Sequence, residues 1–542
     1  MNGSSRFQKL WRRGFRSLLH YHARMSWKPE VDGIEKRQQL AAKLGGEEAV
    51  AKQHELGRLT IRERIDALID AGSFREQGGI AGEPEYGEDG ELVGFKPANY
   101  VLGLAKLDGR PCVVGGEDFT QRGGSPSPSG LRKSVYAEEL ACRFKLPLIR
   151  FLQGAGGSVT GPRGKGHRHA SDPVYAPHRF QSIMQAMASV PVVSAAVGAV
   201  AGFPAARLVA SHFSVMTRHT AQILIAGPAV VERAIGESHS KEALGGARVH
   251  SRSGVVDNVV EDEQEVFEII RRFLAYLPTH IWEPAPRIDS TDDRDRAEEE
   301  LISIVPRSRR QIYDMRRLLA LIVDRDSFFE ISPSYGRAQI TGLARMNGQP
   351  IGILANDTKY YAGAMTAHGS RKVRRFVDLC DTFHLPVVSF VDEPGFMIGS
   401  ESEQAGTIRF GTEAMFAVVQ STVPWVSVIV RKTYGVAAAA HFGPNAYMLS
   451  WPSAEGGALP LEGGVAIAFG REIAAAPNPE ARRRELEEAF AADRSPFDRA
   501  EAFGVNDLID PRRTRPALCD WIDWIQPSLA EHLGPRSYSI RP

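Results

Sequence analysis

Gly342-Leu343-Ala344-Arg345-Met346-Asn347-Gly348-Gln349-Pro350 repeats, 239 residues further on, a stretch the chain has already used: Gly103-Leu104-Ala105-Lys106-Leu107-Asp108-Gly109-Arg110-Pro111. Carried forward, this register aligns residues 103–156 with 342–395 without a gap, giving 16 identities in 54 positions. Among them are Asp118/Asp357, Gly124/Gly363, Lys133/Lys372, Phe144/Phe383, Pro147/Pro386 and Gly156/Gly395. Residues 190–206 then align with 423–439 at an offset of 233, with 8 identities in 17. Similarity at a fixed long period marks an internal duplication. The 6 residues lost between the two blocks fall where a loop can change length.

Both copies share one grammar. An apolar run (Pro111–Gly115; Pro350–Leu354) leads through a Gly-bearing loop to a helix (Arg132–Phe144; Arg371–Phe383). Leu-Pro then opens a second buried strand (Leu148–Leu152; Val387–Val391) that ends in a Gly-rich turn. A third run (Pro191–Val197; Pro424–Val430) ends at Gly202 or Gly435. Short apolar strands alternating with helices predict α/β layers, hence two similar lobes. Ahead of the first copy, GRLTIRERIDALIDAGSF (57–74) predicts a helix closed by Gly72, and QIYDMRRLLALIVDRDSFF (311–329) resembles it ahead of the second. Between the copies, EPAPRIDSTDDRDRAEEE (283–300) has the proline spacing and dense charge of a linker. The expected organisation is a basic extension (1–56), a first lobe (57–282), a charged linker (283–305) and a second lobe (306–542).

Composition narrows the function. The chain has 542 residues, with 66 Lys plus Arg against 65 Asp plus Glu. That balance lacks the basic excess of a nucleic-acid binder. The 4 cysteines form no C-x-x-C pair, which argues against a zinc ribbon and fits a reducing compartment. No apolar run reaches the ~20 residues of a membrane span. Residues 1–29 lack Asp and Glu but carry Arg6, Lys9, Arg12, Arg13, Arg16, Arg24 and Lys28. Such a segment reads as a solvated extension, a basic docking helix or an organelle transit peptide.

Gly-rich turns at strand ends can leave backbone N–H groups free to meet a ligand. The candidates are Gly154-Ala155-Gly156-Gly157-Ser158 and Ala201-Gly202-Phe203-Pro204 in the first copy. In the second they are Glu393-Pro394-Gly395-Phe396 and Tyr434-Gly435-Val436-Ala437. Their recurrence at matching positions predicts two sites of related chemistry, each polarising a carbonyl that becomes an oxyanion. No G-x-x-x-x-G-K-[ST] or G-x-S-x-G motif occurs. His167 and His169 lack helical ligand spacing and nearby carboxylates, so no metal is expected. The basic stretch Arg163, Lys165, His167 and Arg168 reads as a phosphate contact or a solvated loop.

Six blocks in order resemble the carboxyltransferase (beta) subunits of biotin-dependent acyl-CoA carboxylases of the propionyl-CoA and methylcrotonyl-CoA type. They are GRLTIRERIDALIDAGSF, EALGGARVHSRSGVVD (242–257), GLARMNGQPIGILAND (342–357), FVDEPGFMIGSESEQAG (390–406), VIVRKTYG (428–435) and SPFDRAEAFGVNDLIDPRRTRPAL (495–518). The resemblance implies two tandem crotonase-like ββα-superhelix lobes of the ClpP/crotonase superfamily. It implies a homo-oligomer built from beta–beta dimers, up to a hexamer. It also implies acyl-CoA on the first lobe, facing carboxybiotin on the second lobe of the partner subunit. The carboxyl group would pass to the α or γ carbon of the acyl-CoA. Biotin would come from a biotin carboxylase/biotin carrier alpha subunit, because this chain has neither Met-Lys-Met nor an ATP-binding glycine loop.

Carried over by position, the resemblance puts the biotin-side donors on Val436 and Ala437, after Gly435, and the acyl-side donors on Phe203 and Pro204, after Gly202, with Gly435, Val436, Ala437, Gly202 and Phe203 as the catalytic set. Gly156, Gly157, Ser158, Gly395, Phe396 and Tyr434 would shape the two binding turns. The chain departs from the family pattern at several places. Ala-Gly-Gly-Ala becomes Ala201-Gly202-Phe203-Pro204, and proline has no N–H. Tyr-Gly-Gly-Ala-Tyr-Asp becomes Tyr434-Gly435-Val436-Ala437-Ala438-Ala439, and Gly-Ala-Lys becomes Gly411-Thr412-Glu413. These changes leave two other expectations beside an active carboxyltransferase. One is a non-catalytic structural or regulatory homologue in a hetero-oligomer. The other is a biotin-independent acyl-CoA enzyme of the crotonase superfamily. The expected compartment is the bacterial cytoplasm, or the mitochondrial matrix if residues 1–29 are a transit peptide.

Overall fold

The computed structural model of the chain describes residues 26–156, 179–492 and 495–536. Gly157, Ser158, His167, His169 and the basic stretch Arg163–Arg168 lie outside the described residues, as do residues 1–25.

The first half contains β1 (Arg75–Glu76), β2 (Gly82–Tyr86), β3 (Leu92–Pro97), β4 (Tyr100–Leu107) and β5 (Arg110–Glu117). It continues with β6 (Leu148–Gly154), β7 (Val192–Ala201), β8 (Phe213–Thr217), β9 (Gln222–Leu224) and β10 (Asn258–Val260). The second half contains β11 (Phe329–Ile331), β12 (Gln339–Met346), β13 (Gln349–Asn356), β14 (Val387–Glu393), β15 (Trp425–Tyr434), β16 (Tyr447–Ser450), β17 (Glu455–Gly457) and β18 (Asp507–Leu508). Two eight-stranded sheets form, ordered β1-β4-β5-β6-β7-β8-β10 and β11-β12-β13-β14-β15-β16-β18. β9 pairs the end of β7, and β17 pairs the end of β15. The expected duplication is thus present strand for strand.

In each half a hairpin turns at Asp108-Gly109 or Asn347-Gly348, with positive φ at all four residues. One carboxylate fastens each turn. Asp70 accepts the N–H groups of Asp108 and Gly109 at 2.9 and 2.8 Å, and Asp324 those of Asn347 and Gly348 at 3.0 and 2.8 Å. This contact ends the preceding helix early. The helix spans Ile61–Leu68 behind a Thr60/Glu63 capping box, and Ile69 is already extended, so Gly72 belongs to a later turn. Its counterpart is Met315–Ile322, capped by Asp314.

The long helix after each hairpin starts earlier than its apolar pattern indicates. Ser127 caps Pro128–Phe144 and Thr366 caps Ala367–Thr382, each hydroxyl accepting an N–H three residues on at 3.0 Å. Strands β6 and β14 are buried along their whole length, as a parallel strand covered on both faces must be.

The halves share one apolar core. Phe213 of β8 stacks on Phe273 with centroids 4.7 Å apart, and both meet Phe329 of β11. Around this seam Asn258 donates to Glu330 O and accepts from Ser332 N–H, both at 3.0 Å. Arg345 donates to Ala275 O at 2.8 Å. The charged stretch 283–305 lies along the second half. Ile288 N–H donates to Gly348 O, and Arg296 binds Asp292 and the carbonyls of Leu321 and Val323.

Candidate active site

In both halves the middle parallel strands end side by side, and both carry a register shift just before the end. The shift lies between Leu152 and Gly154 in β6 and between Val391 and Glu393 in β14. Such a bulge bends the strand tip and re-aims its backbone. The neighbouring strands β7 and β15 run into Gly202 and Gly435, each with positive φ (+66° and +62°), and each glycine caps a short helix.

In the first half the two turns touch. A Cβ built on Gly202 would come within 3.0 Å of Gly156 Cα, and one built on Gly156 within 3.4 Å of Gly202 Cα. Ala155 N–H is spent on Gly123 O at 3.0 Å. The helix Phe203–Val209 then begins with Pro204 in its first turn. Gly156, Gly202, Phe203 and Pro204 are therefore gathered at one strand end.

In the second half Gly395 approaches Tyr434, whose carbonyl would lie 3.8 Å from a Cβ on that glycine. Phe396 packs on Gly411, where any side chain would strike the ring at 2.3 Å. Gly435 N–H donates to Gly457 O at 3.1 Å, so this donor is already used. Val436 and Ala437 begin the 3₁₀-helix Val436–His441, and N–H groups at a helix start have no partner within the helix. Glu413 pairs with Arg374 at 3.1 Å.

Polar residues surround the second turn. Tyr434 is fully buried, and its hydroxyl accepts from Arg309 at 3.2 Å. Arg309 also pairs with Glu455 at 2.8 Å. A cavity of about 330 Å³ opens here, lined among others by Arg309, Gln311, Thr358, Lys432 and Tyr434. Burial holds the Lys432 ammonium below its usual pKa. Behind the turn Glu393 is fully buried, accepting Gly395 N–H and Asn356 Nδ2 at 3.0 Å each, and burial pushes its carboxyl upward. Next to it, Asp392 binds Arg431 at 3.0 Å, the Tyr313 hydroxyl at 2.8 Å and Lys432 N–H at 3.0 Å.

Sequence reading found the turns but not these supports. Asp392 and Arg431 are 39 residues apart on different strands. The one available signal was their charge, because an ionised residue inside an apolar parallel strand needs a buried partner.

Among the described residues no cluster of three or more His, Cys, Asp or Glu side chains could hold a metal ion, and no helix is long and apolar enough to cross a membrane.

A family model, the carboxyl transferase domain, matches residues 52–525. The chain is 33% identical over 501 residues to the propionyl-CoA carboxylase carboxyltransferase subunit of Haloferax mediterranei, covering 91% of this chain and 95% of that one. It is 34% identical to the mitochondrial propionyl-CoA carboxylase beta chain of Homo sapiens, covering 90% and 89%. It is 32% identical to the methylmalonyl-CoA decarboxylase alpha subunit of Veillonella parvula, covering 92% and 96%. Among solved structures, transcarboxylase 12S with methylmalonyl-coenzyme A bound superposes with a TM-score of 0.82 at 29% identity, over 95% of this chain and 97% of that one. A single-chain long-chain acyl-CoA carboxylase gives a TM-score of 0.77 at 28% identity, over 92% of this chain and 49% of that one. The duplicated α/β lobes and their paired strand-end turns thus belong to the carboxyl transferase domain family, with the crotonase-like fold and carboxyltransferase function of that family.

Proposed function

We propose that this chain moves a carboxyl group from carboxybiotin, presented by a separate biotin-bearing subunit, to an acyl-CoA. The observation that carries this reading is the pairing of strand-end turns in both halves, each built on a positive-φ glycine and opening a helix. The first-lobe turn, Gly202-Phe203-Pro204 against Gly156, takes the thioester. The second-lobe turn, Gly435-Val436-Ala437 beside Gly395, Phe396 and Tyr434, takes the ureido ring.

Carboxybiotin supplies the transferable carboxyl group. The chain supplies fixed donors. Val436 and Ala437 N–H groups orient the ureido oxygen and stabilise negative charge on it. A backbone donor set before charge develops needs no reorganisation, and one such donor contributes about 3–4 kcal/mol in the transition state. Tyr434, held by Arg309 and Glu455, fixes the wall of the cavity. On the acyl side Pro204 removes one donor, so that turn offers one N–H fewer to a developing enolate.

The working assembly in this reading is a homo-oligomer in which the first lobe of one subunit faces the second lobe of its partner, in the bacterial cytoplasm. Transcarboxylase 12S, a hexamer that binds methylmalonyl-coenzyme A, supports it. The test is bicarbonate incorporation with the full chain, a biotinylated alpha subunit, ATP and a panel of acyl-CoAs. Biotin-dependent labelling of at least one acyl-CoA is expected. No labelling, or product formed without biotin, would overturn the reading.

A further inference from the structure

A second cavity lies behind the acyl-side turn. It measures about 20 Å³ and is lined by Tyr100, Glu117, Gly124, Phe203, Pro204 and Arg207, among others. That is room for one oxygen atom with its hydrogens, since a single water needs roughly 10–15 Å³ by the same measure.

Two buried donors at this cavity have no partner. Tyr100 and Arg207 are each 2% exposed, and neither Tyr100 Oη nor Arg207 Nη2 makes a hydrogen bond. Arg207 is held firmly. Arg207 Nε donates to Glu138 Oε1 at 2.9 Å, and its guanidinium lies 4.5 Å over the Phe203 ring. Glu138 also binds Arg150 at 3.1 Å and Ser182 Oγ at 2.6 Å. Arg150 spends its remaining donors on Ser194 Oγ and the carbonyls of Arg207 and Ala210. The cluster anchors the Arg207 guanidinium through Nε and leaves Nη2 without a partner.

Charge gives the same direction. Two guanidinium groups share the single carboxylate of Glu138. The unpartnered Tyr100 Oη and Arg207 Nη2 therefore make the cavity wall rich in donors, which suits an acceptor oxygen. Nothing in an unfunctionalised alkyl chain could satisfy Tyr100 Oη and Arg207 Nη2, and a site built to hydrogen-bond an oxygen disfavours the analogue without it.

We propose that Tyr100 and Arg207 form a polar subsite beside the Phe203–Pro204 turn, selecting CoA thioesters whose acyl chain bears a hydroxyl or keto oxygen. This rests on the reading that the first lobe takes the acyl-CoA. It also gives Phe203 a role: its ring covers the guanidinium and closes one wall of the subsite.

The experiment is calorimetric binding of butyryl-CoA, 3-hydroxybutyryl-CoA and 4-hydroxybutyryl-CoA to the full chain, to Tyr100→Phe and to Arg207→Lys. At least one oxygenated thioester is expected to bind ten times more tightly than butyryl-CoA. Either substitution should cut that advantage below threefold. Equal affinities in the unaltered protein mean that the cavity holds only a structural water, and overturn the proposal. So does an advantage that survives in both variants. Carboxylation is a separate readout. An oxygen preference in binding without biotin-dependent carboxylation sinks the carboxyltransferase reading and leaves the subsite standing. Carboxylation with equal affinities sinks the subsite alone.

Discussion

Asp392 and Arg431 form an ion pair across β14 and β15, 3.0 Å apart, with both side chains almost wholly removed from solvent. The pair ties three things together. Asp392 takes the Tyr313 hydroxyl and Lys432 N–H, and Arg431 Nη1 reaches Gln311 O at 2.9 Å. Gln311 and Lys432 line the cavity of about 330 Å³ beside Tyr434, so the pair braces the wall of that cavity. Asp392→Asn leaves the guanidinium without its counter-charge in a buried setting, a loss of about 3–5 kcal/mol. A lower thermal midpoint is expected, measured by calorimetry. Arg431→Met combined with Asp392→Asn should be milder than the two single losses added together.

Gly202→Ala and Gly435→Ala test the two turns unequally. Both glycines have positive φ, and a side chain in such rarely visited backbone regions costs about 1–3 kcal/mol. Only Gly202 also meets a close neighbour, Gly156 Cα at 3.0 Å; the nearest atom to a Cβ on Gly435 is Ala458 O at 3.5 Å. Gly202→Ala should therefore lower the denaturant midpoint more. Equal losses would show that the contact between the first-lobe turns is loose.

Pro204→Ala introduces an N–H in the first turn of the helix Phe203–Val209. If that turn polarises the thioester, kcat for propionyl-CoA should rise about tenfold or more, since one such donor is worth 10²–10³ when ideally placed. Steady-state kinetics with the biotinylated partner measures this. An unchanged kcat would place the acyl carbonyl elsewhere.

Lys372 gives a pH test. It is 5% exposed, its ammonium donates to Gln339 O at 2.7 Å, and burial pushes its pKa down to about 7. Glu330, Asp257 and Asp357 oppose that shift, and Arg316 adds to it. In the unfolded chain the value returns to 10.5. Between pH 7 and 10.5 the unfolded state therefore binds the extra proton. Stability rises with pH across this window, by up to about 1.4 kcal/mol per unit. The penalty is complete below the folded value and absent above the unfolded one. Urea midpoints at pH 7, 8 and 9 should climb in the native protein and stay flatter in Lys372→Met.

The duplication was legible because strand-forming runs and their turn glycines repeat in register. Gly109 and Gly348, or Gly202 and Gly435, occupy backbone conformations that side chains avoid, so their residue type reports geometry directly. Helix limits were less legible. Ile69 leaves the helix because Asp70 is needed at Asp108 and Gly109, a contact 38 residues away that local periodicity does not encode. The early helix starts at Ser127 and Thr366 are capping effects, visible as residue types but outside the apolar pattern. Glu138, Arg150 and Arg207 were the hardest to see. Arg150 inside Leu148–Gly154 signals a buried partner, but only the fold shows that the partner is Glu138 on a helix and that Arg207 shares it.

The Phe213–Phe273–Phe329 seam binds the two copies into a single folding unit. Cut between them, each fragment would turn a greasy wall toward water, and neither would be expected to stay in solution unless both were synthesised together. The duplication that created this polypeptide thus left each twin as the cover for the other's oily side.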